Sequence, residues 1–540
     1  MQTRRQFVTA AGAWTGAAVF APQTLAQGLT SFRKAPRAKG GKFTDGIISG
    51  DVTPNGVTLW SRLDGIDGAV HAELEIATDS TFRHVVARKN IATNKALNHA
   101  LKARVEKLKP HEQYFYRFST GSTESKVGRF RTALPADSNQ PVHFAFWSCQ
   151  DFTHGYYNAH QVMAKGDYDF VICLGDYIYA ETYHTIADGT AVREDKIGTA
   201  PPAPENTNHF LEAITYQQYL DKYSLYRSDP NLRNVHQNFA TIMLWDDHEV
   251  QDNYAGAEAD GGLAPQKRYS NARKAAAYKA YFNSMPAYAS PTAPKRQYRT
   301  LNFGKTVELI AMDQRQYRKN QPCDDGVVVP CADFNQPRDF LGQPQMKYVQ
   351  NQLKSSKAAW KVLANEVMIM PTEVLGGAFF GFDSWQGYPQ EREQLLTFIR
   401  DNKIQDVVFV TGDIHTFITG DVKTAMGTGD TVAIEFVGGS ITSQGLGEID
   451  LPAGGGVVIP GNDKNPMTSP AIIKALQQAN PWVHSADTDH HGFAEVTATT
   501  QSFSCKLVRM ATIKQKSTQL LPDTPDFNIT LQRGQKSILA

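Results

Sequence analysis

The sequence lacks an excess of charge of either sign. Its 540 residues include 55 Lys and Arg against 54 Asp and Glu, which gives a formal net charge of +1 at pH 7. Proteins that bind nucleic acid or anionic membranes usually carry a strongly basic surface, because phosphate groups are recognised electrostatically. We therefore expect no nucleic-acid-binding patch on this protein.

Long apolar runs are also missing from most of the chain. After the first 26 residues, no segment approaches the roughly 20 consecutive apolar residues that a membrane helix needs. We therefore predict that the mature form has no membrane span.

The one apolar run at the N-terminus has the features of an export signal. Residues 3–8 read TRRQFV, a twin-arginine pattern, and an Ala- and Gly-rich apolar run follows to Phe20. Thr24-Leu25-Ala26 is a plausible cleavage site. A membrane anchor is the alternative, but the run is short and rich in Ala and Gly. We predict a twin-arginine signal peptide over residues 1–26, the twin-arginine export machinery as a partner, and a periplasmic or extracellular location.

Cysteine is scarce, with five residues in 540. None of the spacings typical of haem attachment or iron–sulfur clusters is present. Cys323 and Cys331 bracket the short segment CDDGVVVPC, and in an exported chain such a pair predicts a disulfide, with two unrelated thiols as the alternative. Cys173 and Cys505 lie inside strand-like runs, so we expect them to be buried apolar residues.

Residues 40–134 have the pattern of a small all-β domain. Segments such as GVTLWSRL, AELEIATD and YFYRFSTG are strand-like and are separated by turn residues. This spacing favours a β-sandwich of the fibronectin or immunoglobulin type. The region contains no cluster of ligand-type residues, so we interpret it as a packing or docking module. The segment LPADSN, residues 134–139, is the predicted linker.

From residue 140 to residue 520, predicted strands and helices alternate. The fold class expected is α/β (α+β), a two-sheet sandwich flanked by helices, followed by a C-terminal extension over residues 521–540. The predicted helices cover residues 216–226, 266–282, 345–360 and 391–402. The predicted strands cover residues 306–312, 361–370, 407–410, 431–437, 493–497 and 503–509. Loops 182–209 and 451–465 show no periodicity and are candidate lids or substrate selectors.

Four short apolar runs in this second domain end abruptly in residues that bind metals. They are FAFW, followed by Cys149; FVICL, followed by GDYIY; FATIMLW, followed by DDHE; and VVFVTG, followed by DIH. Short apolar runs bounded in this way predict buried strands. Ligands of open α/β sheets gather at the carboxyl ends of strands. The pattern therefore predicts a single metal centre assembled from residues that are distant in sequence.

The order of these motifs resembles the calcineurin-like metallophosphoesterase pattern. GD, DDHE and GDIH occur in that order, but the usual first motif, Asp-x-His, is replaced by Cys149-Gln150. This replacement, together with GDYIYAE, WDDHEVQDNYAG and RQYRKNQPC, resembles the alkaline phosphatase D (PhoD-like) family. The resemblance covers nearly the whole chain, including GIISGDVTPNGVTLWSRL in the N-terminal module.

The resemblance implies a secreted, metal-dependent phosphoric ester hydrolase that acts as an alkaline phosphatase or phosphodiesterase through a metal-activated hydroxide. It also implies Fe3+ and Ca2+ as cofactors. Matched by position, the expected metal ligands are Cys149, Asp176, Tyr179, Asp247, Asp413 and His415. Asp176 would bridge two ions and Asp247 would bind the second. Asp246 and Asn253 are weaker candidates for the calcium side, and Tyr177 is a weaker candidate than Tyr179.

Two further residues are candidates for catalysis. His248 matches the acid of the superfamily motif by position. Arg315 follows the predicted strand over residues 306–312 and could clamp a phosphate oxygen bidentately. A structural ion pair is an equally good interpretation of Arg315 on spacing alone.

The residue types of the expected centre agree with the implied metals. Phenolate, thiolate and carboxylate groups are anionic and together compensate a trivalent iron, and the remaining hard oxygens suit calcium. Such ions would bind phosphoryl oxygens and lower the pKa of a water molecule between them.

Three alternatives remain open at this stage. One is a phospholipase D-type phosphodiesterase that acts on phospholipid headgroups, because the sequence does not specify which phosphoester is the substrate. Another is a redox iron protein, which the missing haem and iron–sulfur spacings disfavour. The third is a non-catalytic surface-binding protein, which would not need the whole set of acidic and histidine residues.

Overall fold

A computed structural model describes residues 35–448 and 470–538. Short gaps within these ranges fall at residues 188, 202–208, 260, 263–268, 288–292, 294, 326–330, 375–377 and 380. The predicted signal peptide and the predicted loop 451–465 lie outside the described residues. Within the described ranges, no helix has the length and apolar character required to cross a membrane.

The first seven strands form the N-terminal domain. Their bounds are β1 Ile47–Thr53, β2 Gly56–Arg62, β3 Val70–Ala77, β4 Val85–Thr93, β5 Ala100–Val105, β6 Gln113–Ser119 and β7 Gly128–Arg131. They make a three-stranded sheet in the order β1-β2-β5 and a four-stranded sheet in the order β4-β3-β6-β7. Alternation along β6 buries Tyr114, Tyr116 and Phe118, as expected for a strand with one face in the core. The predicted all-β module is confirmed.

The larger domain contains the remaining strands. In chain order they are β8 Val142–Trp147, β9 Phe170–Cys173, β10 Glu181–Thr182, β11 Leu211–Glu212, β12 Thr241–Met243, β13 Arg299–Phe303, β14 Val307–Ala311, β15 Trp360–Asn365, β16 Glu373–Val374, β17 Ala378–Phe379, β18 Val407–Thr411, β19 Phe417–Lys423, β20 Thr431–Gly438, β21 Val483–Asp487, β22 His491–Ala498, β23 Ser502–Met510 and β24 Asn528–Gln532.

Helices surround these strands. They are α1 Asn158–Met163, α2 Tyr216–Arg227, α3 Pro230–Asn238, α4 Asn271–Ser284, α5 Gly342–Ser355, α6 Pro389–Asp401 and α7 Pro470–Ala479. Local signals explain two of the starts. Thr215 and Gln218 form a capping box before α2. Asp229 caps α3, which begins with Pro230 at a position where the missing N–H is harmless.

Two mixed sheets form the core of this domain. One has six strands in the order β12-β9-β8-β22-β23-β24, and the other has seven in the order β13-β14-β15-β18-β20-β19-β21. Strands β8, β9 and β12 are parallel, as are β14, β15, β18 and β20. Apolar side chains of both sheets, such as Phe144, Ile172, Val362 and Phe436, share one buried cluster. The predicted two-sheet sandwich is confirmed.

Several predicted element bounds differ from the structure. The helix predicted over 345–360 ends at Ser355, and Trp360 already belongs to β15. The strand predicted over 361–370 ends at Asn365. Beyond Asn365, side chains take the place of a neighbouring strand. The backbone N–H of Val367 donates to Gln314 Oε1 at 2.9 Å, and that of Ile369 donates to Glu435 Oε1 at 2.9 Å. The first residues of the helix predicted over 266–282 lie outside the described part, and α4 begins at Asn271.

The C-terminal residues are not a separate appendage. Within the predicted extension 521–540, strand β24 pairs antiparallel with β23 and forms one edge of the six-stranded sheet. Ile529 and Leu531 are buried, so this strand has the alternation of a half-buried edge. The prediction of a C-terminal extension therefore needs this correction: the segment completes the sheet of the larger domain.

Candidate metal centre

The predicted ligand residues follow strands that run in parallel within the two sheets. Cys149 follows β8, Asp176 follows β9, Asp247 follows β12 and Asp413 follows β18. The ladder between β8 and β9 continues past the strand ends, because Cys149 N–H donates to Gly175 O at 3.2 Å. The side chains consequently meet at the carboxyl edge of the sandwich, where α/β proteins place their sites.

The backbone at these positions is unusual. Cys149, Asp176, Asp413 and His415 have positive φ angles of 57°, 51°, 70° and 54°. A left-handed conformation at a residue other than glycine is uncommon and costs on the order of 1–3 kcal/mol. The fold therefore holds four predicted ligands in a conformation that local preference disfavours, which is a pattern typical of functional sites.

Gly175 is required for this approach of strand ends. Its φ is +115°, and a β-carbon there would lie 2.4 Å from the β-carbon of Asp246. A larger residue would therefore push apart the loops that carry Asp176 and Asp246.

The first group of ligand atoms comes from Cys149, Asp176 and His415, which lie within 4.8 Å of one another. The Tyr179 hydroxyl lies 3.2 Å from Asp176 Oδ2 and 3.1 Å from His415 Nε2, so it joins the same group. His415 donates its Nδ1–H to Gln444 O at 2.8 Å, which leaves the Nε2 lone pair facing the group. Tyr177 points elsewhere, because its hydroxyl bonds His236 Nε2 at 2.9 Å.

Asp176 also belongs to a second group. Its carboxylate lies within 4.8 Å of ligand atoms of Asp247 and His248. A residue shared by two groups has the position that a bridging carboxylate would need. Asn253, a weaker candidate, contacts this group through its backbone, whose N–H donates to Asp247 Oδ2 at 2.7 Å.

A third group consists of Asp246, Asp247 and Asp413, again within 4.8 Å. Arg315 balances part of this negative charge. Its Nε donates to Asp246, and its two Nη atoms bind Asp383 in a bidentate pair at 3.0 and 2.7 Å. The Arg315 side chain is fully buried. Of the two interpretations open for Arg315, these contacts favour the structural ion pair over the phosphate clamp.

Burial of so many acids perturbs their protonation. Burial raises the pKa of Asp176 and of Asp413, and neighbouring carboxylates raise both further. Burial and the charge of nearby carboxylates also outweigh Arg315 at Asp246, whose pKa rises to about 6. Burial likewise raises the pKa of Cys149 and of Tyr179. Without a cation, this centre would hold protons in place of positive charge.

The donor set and one carboxylate oxygen without a hydrogen bond fit a metal centre. Asp247 Oδ1 is buried and accepts no hydrogen bond among the described residues, and its ion pair with Arg315 Nη2 is long, at 3.6 Å. A buried carboxylate oxygen without a hydrogen bond is costly, and a cation in the group would remove that cost. Burial lowers the pKa of His415 to about 4, so its ring is neutral and able to bind metal.

His248 is held beside the centre by an acid that sequence analysis missed. Its Nδ1 lies 2.9 Å from Glu181 Oε2, and its ring stacks on Tyr179 at 4.1 Å between centroids. Burial alone would lower the pKa of His248, but Asp247, Asp176 and Glu181 outweigh it and raise that pKa. These acids therefore favour the protonated form of His248.

Glu249 and Asp383 were missed as well. The Glu249 carboxylate accepts three backbone N–H groups, from Asp246 at 2.8 Å, Asp176 at 3.1 Å and Tyr177 at 2.6 Å. It thereby ties the loop after β9 to the loop after β12. Glu249 stands next to His248 in the DDHE motif, which is a signal that could have found it. Asp383 has no comparable signal in the sequence.

The predicted pair Cys323 and Cys331 is joined by a disulfide with a Cα–Cα distance of 5.5 Å. Cys149, Cys173 and Cys505 are free and buried. Gln321, two residues before the bridge, donates to Asn253 O at 2.8 Å, so the segment that leads into the bridge lies beside the centre.

Comparison with protein families decides between the classes left open. The model of the PhoD-like phosphatase family matches residues 144–507, and the model of its N-terminal domain matches residues 29–134. The chain belongs to the PhoD-like phosphatase family. It is therefore a phosphoesterase, a hydrolase, and neither a redox protein nor a surface-binding module alone.

Individual relatives agree with this assignment. Alkaline phosphatase D of Bacillus subtilis (strain 168) is 36% identical over 463 residues, which cover 82% of this chain and 77% of the relative. The solved structure of PhoD superposes with a TM-score of 0.79 at 30% identity and covers 93% of this chain and 92% of its own.

A more distant structure shares the architecture. Purple acid phosphatase PPD1 from yellow lupin (Lupinus luteus) superposes with a TM-score of 0.54 at 13% identity, covering 94% of this chain and 76% of its own. At this identity the similarity concerns the fold alone.

Proposed function

We propose that the protein is a metal-dependent phosphomonoesterase and phosphodiesterase whose centre holds Fe3+ and Ca2+. The observation that carries the proposal is the convergence of anionic groups and neutral His415 at one buried edge. The iron would be held by Cys149, Asp176, Tyr179 and His415, and calcium by Asp176 and Asp247. Asp413 is an iron ligand by family resemblance, although its carboxylate groups with Asp246 and Asp247. Thiolate, phenolate and imidazole suit iron, whereas carboxylate oxygens suit calcium.

Ions bound there would neutralise phosphoryl oxygens and acidify a water molecule for in-line attack. The contribution of the chain's own groups is positioning and proton transfer. His248, charged and oriented by Glu181, is placed to donate the proton at Nε2 to the departing alkoxide. Arg315 keeps the Asp246 and Asp383 carboxylates in place and reaches Asp247 Oδ1 only at 3.6 Å, so this oxygen can accept a cation as well.

The test measures hydrolysis of 4-nitrophenyl phosphate and bis(4-nitrophenyl) phosphate before and after exhaustive chelation. We expect activity to disappear and to return only when Fe3+ and Ca2+ are added together. Full activity in metal-free protein would refute metal dependence, and full recovery with zinc alone would refute the iron assignment.

Asp176→Asn provides the matched test within the chain. The bridging position predicts a loss of at least 1000-fold in kcat, because one carboxylate would serve both ions. Asp167→Asn makes the same chemical change at a side chain that is 87% exposed, and should retain the wild-type rate. Both variants should show the wild-type circular dichroism spectrum. A folded Asp176→Asn enzyme with a normal rate would show that this carboxylate is no bridge.

A phospholipase D-type activity remains the second candidate. Ile186 and Phe210 are exposed at 54% and 46% and line one cavity of about 470 Å3 together with His184 and Lys196. His184 stacks on His154, close to the loop that carries Cys149. The apolar diacylglycerol part of a phospholipid fits such a cavity better than a sugar does. Release of choline from phosphatidylcholine vesicles, compared with bis(4-nitrophenyl) phosphate hydrolysis, tests this candidate.

We also propose export by the twin-arginine route to the periplasm or the exterior. The motif TRRQFV and the Cys323–Cys331 disulfide support it, because disulfides persist in oxidising compartments. Replacing Arg4 and Arg5 together by Lys should retain the precursor inside the cell. Unchanged export of that variant would argue against this route.

A further inference from the structure

One loop contacts much of the first ligand group without belonging to it. This loop, Gly439–Glu448, follows β20 and is called here the support loop. The backbone N–H groups of Thr442 and Ser443 donate to Cys149 O at 3.3 and 3.2 Å. Gln444 O accepts the Nδ1–H of His415 at 2.8 Å. The support loop thus holds two predicted ligands through its backbone.

The Ser443 side chain adds further contacts. Its Oγ accepts the Asp151 N–H at 3.1 Å. The support loop therefore contacts the segment that carries Cys149 and the ring of His415.

The far end of the support loop is fastened by a pair of side chains, Glu448 and His491. Glu448 Oε2 accepts the Gly445 N–H at 3.1 Å and lies 3.0 Å from His491 Nε2. His491 Nδ1 lies 2.9 Å from Ser440 Oγ. His491 thus connects both ends of the loop, through Ser440 at the start and Glu448 at the end.

The hydrogen bonds define the protonation of His491. Ser440 Oγ uses its only proton to donate to Ser443 O at 2.7 Å, so it accepts from His491 Nδ1–H. The Glu448 carboxylate can only accept, so Nε2 also carries a proton. His491 is buried at 4% exposure, and the Glu448 side chain is half-buried at 26%. Burial alone would raise the pKa of Glu448, but His491 and His154 lower it to about 2.

His154 also lies beside this pair, and the three residues offer ligand atoms within 4.8 Å. The hydrogen bonds that the two histidines donate argue against a metal in this group. His154 Nδ1 is its nitrogen nearest Glu448, at 3.8 Å, and it donates to Thr442 O at 2.7 Å. That nitrogen therefore has no lone pair to offer a metal, and His491 has none on either nitrogen.

We propose that the His491–Glu448 ion pair is a positioning device for the iron side of the centre. By fastening the support loop, it keeps the Gln444 carbonyl on His415 Nδ1 and directs His415 Nε2 towards Tyr179 and Asp176. His491 and Glu448 touch no predicted metal ligand through their side chains, so they act through the loop. This inference rests on the proposed function, because it concerns the iron that the centre is proposed to hold.

The energetic argument follows from how outer contacts orient metal ligands. Loss of a hydrogen-bond partner behind a ligating histidine commonly weakens metal binding by about 10–100-fold. His415 already occupies a left-handed conformation with φ 54°, so its ring depends on outside contacts to keep one orientation. Releasing the loop would free the ring, whereas among the described residues no hydrogen bond joins the loop to Asp247 or His248.

The experiment compares Glu448→Gln, His491→Gln and the double variant with the wild type, each loaded with Fe3+ and Ca2+. Iron retention is measured by competition with a hydroxamate chelator, and the visible phenolate–iron band is recorded. We expect each single variant to lose iron about 10–100-fold more readily and to shift the band. Calcium affinity should stay within twofold. The double variant should lose iron no more readily than the single variant that loses it more readily, because the two residues act as a unit.

Glu393→Gln is the matched control, since Glu393 is exposed on α6 and should leave iron retention unchanged. Normal iron retention and an unshifted band in folded Glu448→Gln would overturn this inference alone. A wild-type protein that binds no iron would overturn the proposed cofactor and this inference together. If Glu448→Gln does not fold, Ser440→Ala removes the acceptor of His491 Nδ1–H and should still weaken iron retention several-fold; no change would also overturn the inference.

Discussion

At the scale of single residues, two tyrosines that are two positions apart have different environments. Tyr179 lies between Asp176 and His415, within 3.2 Å of both. Tyr177 accepts from Arg227 Nε at 3.2 Å and bonds His236, on the opposite side of the segment. Burial raises the pKa of Tyr177 to about 12, with Arg227 opposing, and burial also raises the pKa of Tyr179, so the position of each hydroxyl distinguishes the two. Only Tyr179 is placed to become a phenolate ligand.

We predict that Tyr179→Phe removes or strongly shifts the visible band of the iron-loaded protein and lowers its iron content. A phenolate on ferric iron produces a charge-transfer band in the visible range, whereas zinc or calcium would produce none. Absorption spectra and metal analysis of purified protein provide the measurement.

Tyr177→Phe is the matched control and should keep both the colour and the iron. Its hydroxyl lies in a separate network with His236, so its loss should affect stability alone. A colourless wild type that is fully active without iron would show that Tyr179 only packs in the core.

At the scale of elements, the turns and short loops after the strands orient the side chains of the centre. The strands bring the ligand positions to one edge, but the turns after them place the side chains through positive φ angles and through Glu249. The loop closed by Cys323 and Cys331 and the turn after β21 are two further local devices. Each can be tested without changing the centre itself.

For the disulfide, we predict that replacing Cys323 and Cys331 together by Ser lowers the free energy of unfolding by about 2–3 kcal/mol at most. The closed loop is short, with a sequence separation of 8, so little chain entropy is involved. Thermal unfolding under non-reducing conditions is the measurement. A wild type whose mass corresponds to two free thiols at these positions would contradict the prediction.

Asp487 is the last residue of β21, and its ion pairs make the stability of the protein depend on pH. It accepts from His490 Nδ1 at 3.0 Å and Arg509 Nη1 at 2.9 Å. Burial alone would raise the pKa of Asp487, but these partners lower it to about 2 from an ordinary 3.8. Because the folded-state pKa is the lower one, the stabilisation is complete above about pH 4 and is lost as the pH falls towards 2.

We therefore expect Asp487→Asn to lower the free energy of unfolding by about 2 kcal/mol at pH 7 and by little at pH 2. Urea unfolding of both proteins across this range provides the comparison. The exposed Asp137→Asn should show no such difference. A difference in the free energy of unfolding between wild type and Asp487→Asn that does not change with pH would contradict the stabilising role of the Asp487 carboxylate.

At the scale of the whole molecule, the N-terminal domain is attached to the larger domain by buried polar contacts. Asp51 pairs with Arg299 at 2.7 Å, and Arg299 also donates to Met243 O at 3.0 Å. Trp60 Nε1 donates to Asn283 O at 2.7 Å. A β-carbon on Gly50 would lie 2.7 Å from Thr241 O, so the strands of the two domains approach closely.

We predict that both domains unfold in one transition and that Asp51→Ala lowers its midpoint as a whole. Removing Asp51 leaves Arg299 mostly buried and unpaired, which costs about 3 kcal/mol. Differential scanning calorimetry of the metal-loaded protein is the measurement. Two separate transitions, of which Asp51→Ala moved only one, would show that the domains are energetically independent.

The sequence by itself indicated the four strands that lead into the centre and the identity of the residues that follow them, although the strand predicted over 361–370 ends at Asn365. An abrupt change from an apolar run to polar residues, as before Asp176 or Asp413, is a local pattern and reports a local event. The motif order then indicated the family. The all-β first domain followed in the same way from short alternating strands.

Only the tertiary structure decided which partner each side chain meets. Whether Arg315 binds a phosphate or Asp383 depends on a segment 68 residues later in the chain. The support loop reaches Cys149 and His415 because β20 lies beside β18 in the sheet, with His491 across from it. Such contacts depend on strand order, twist and the path of loops, and no local pattern encodes them. That is the physical reason why candidate ligands could be named from the sequence, whereas a contact such as that of Glu181 with His248 could not.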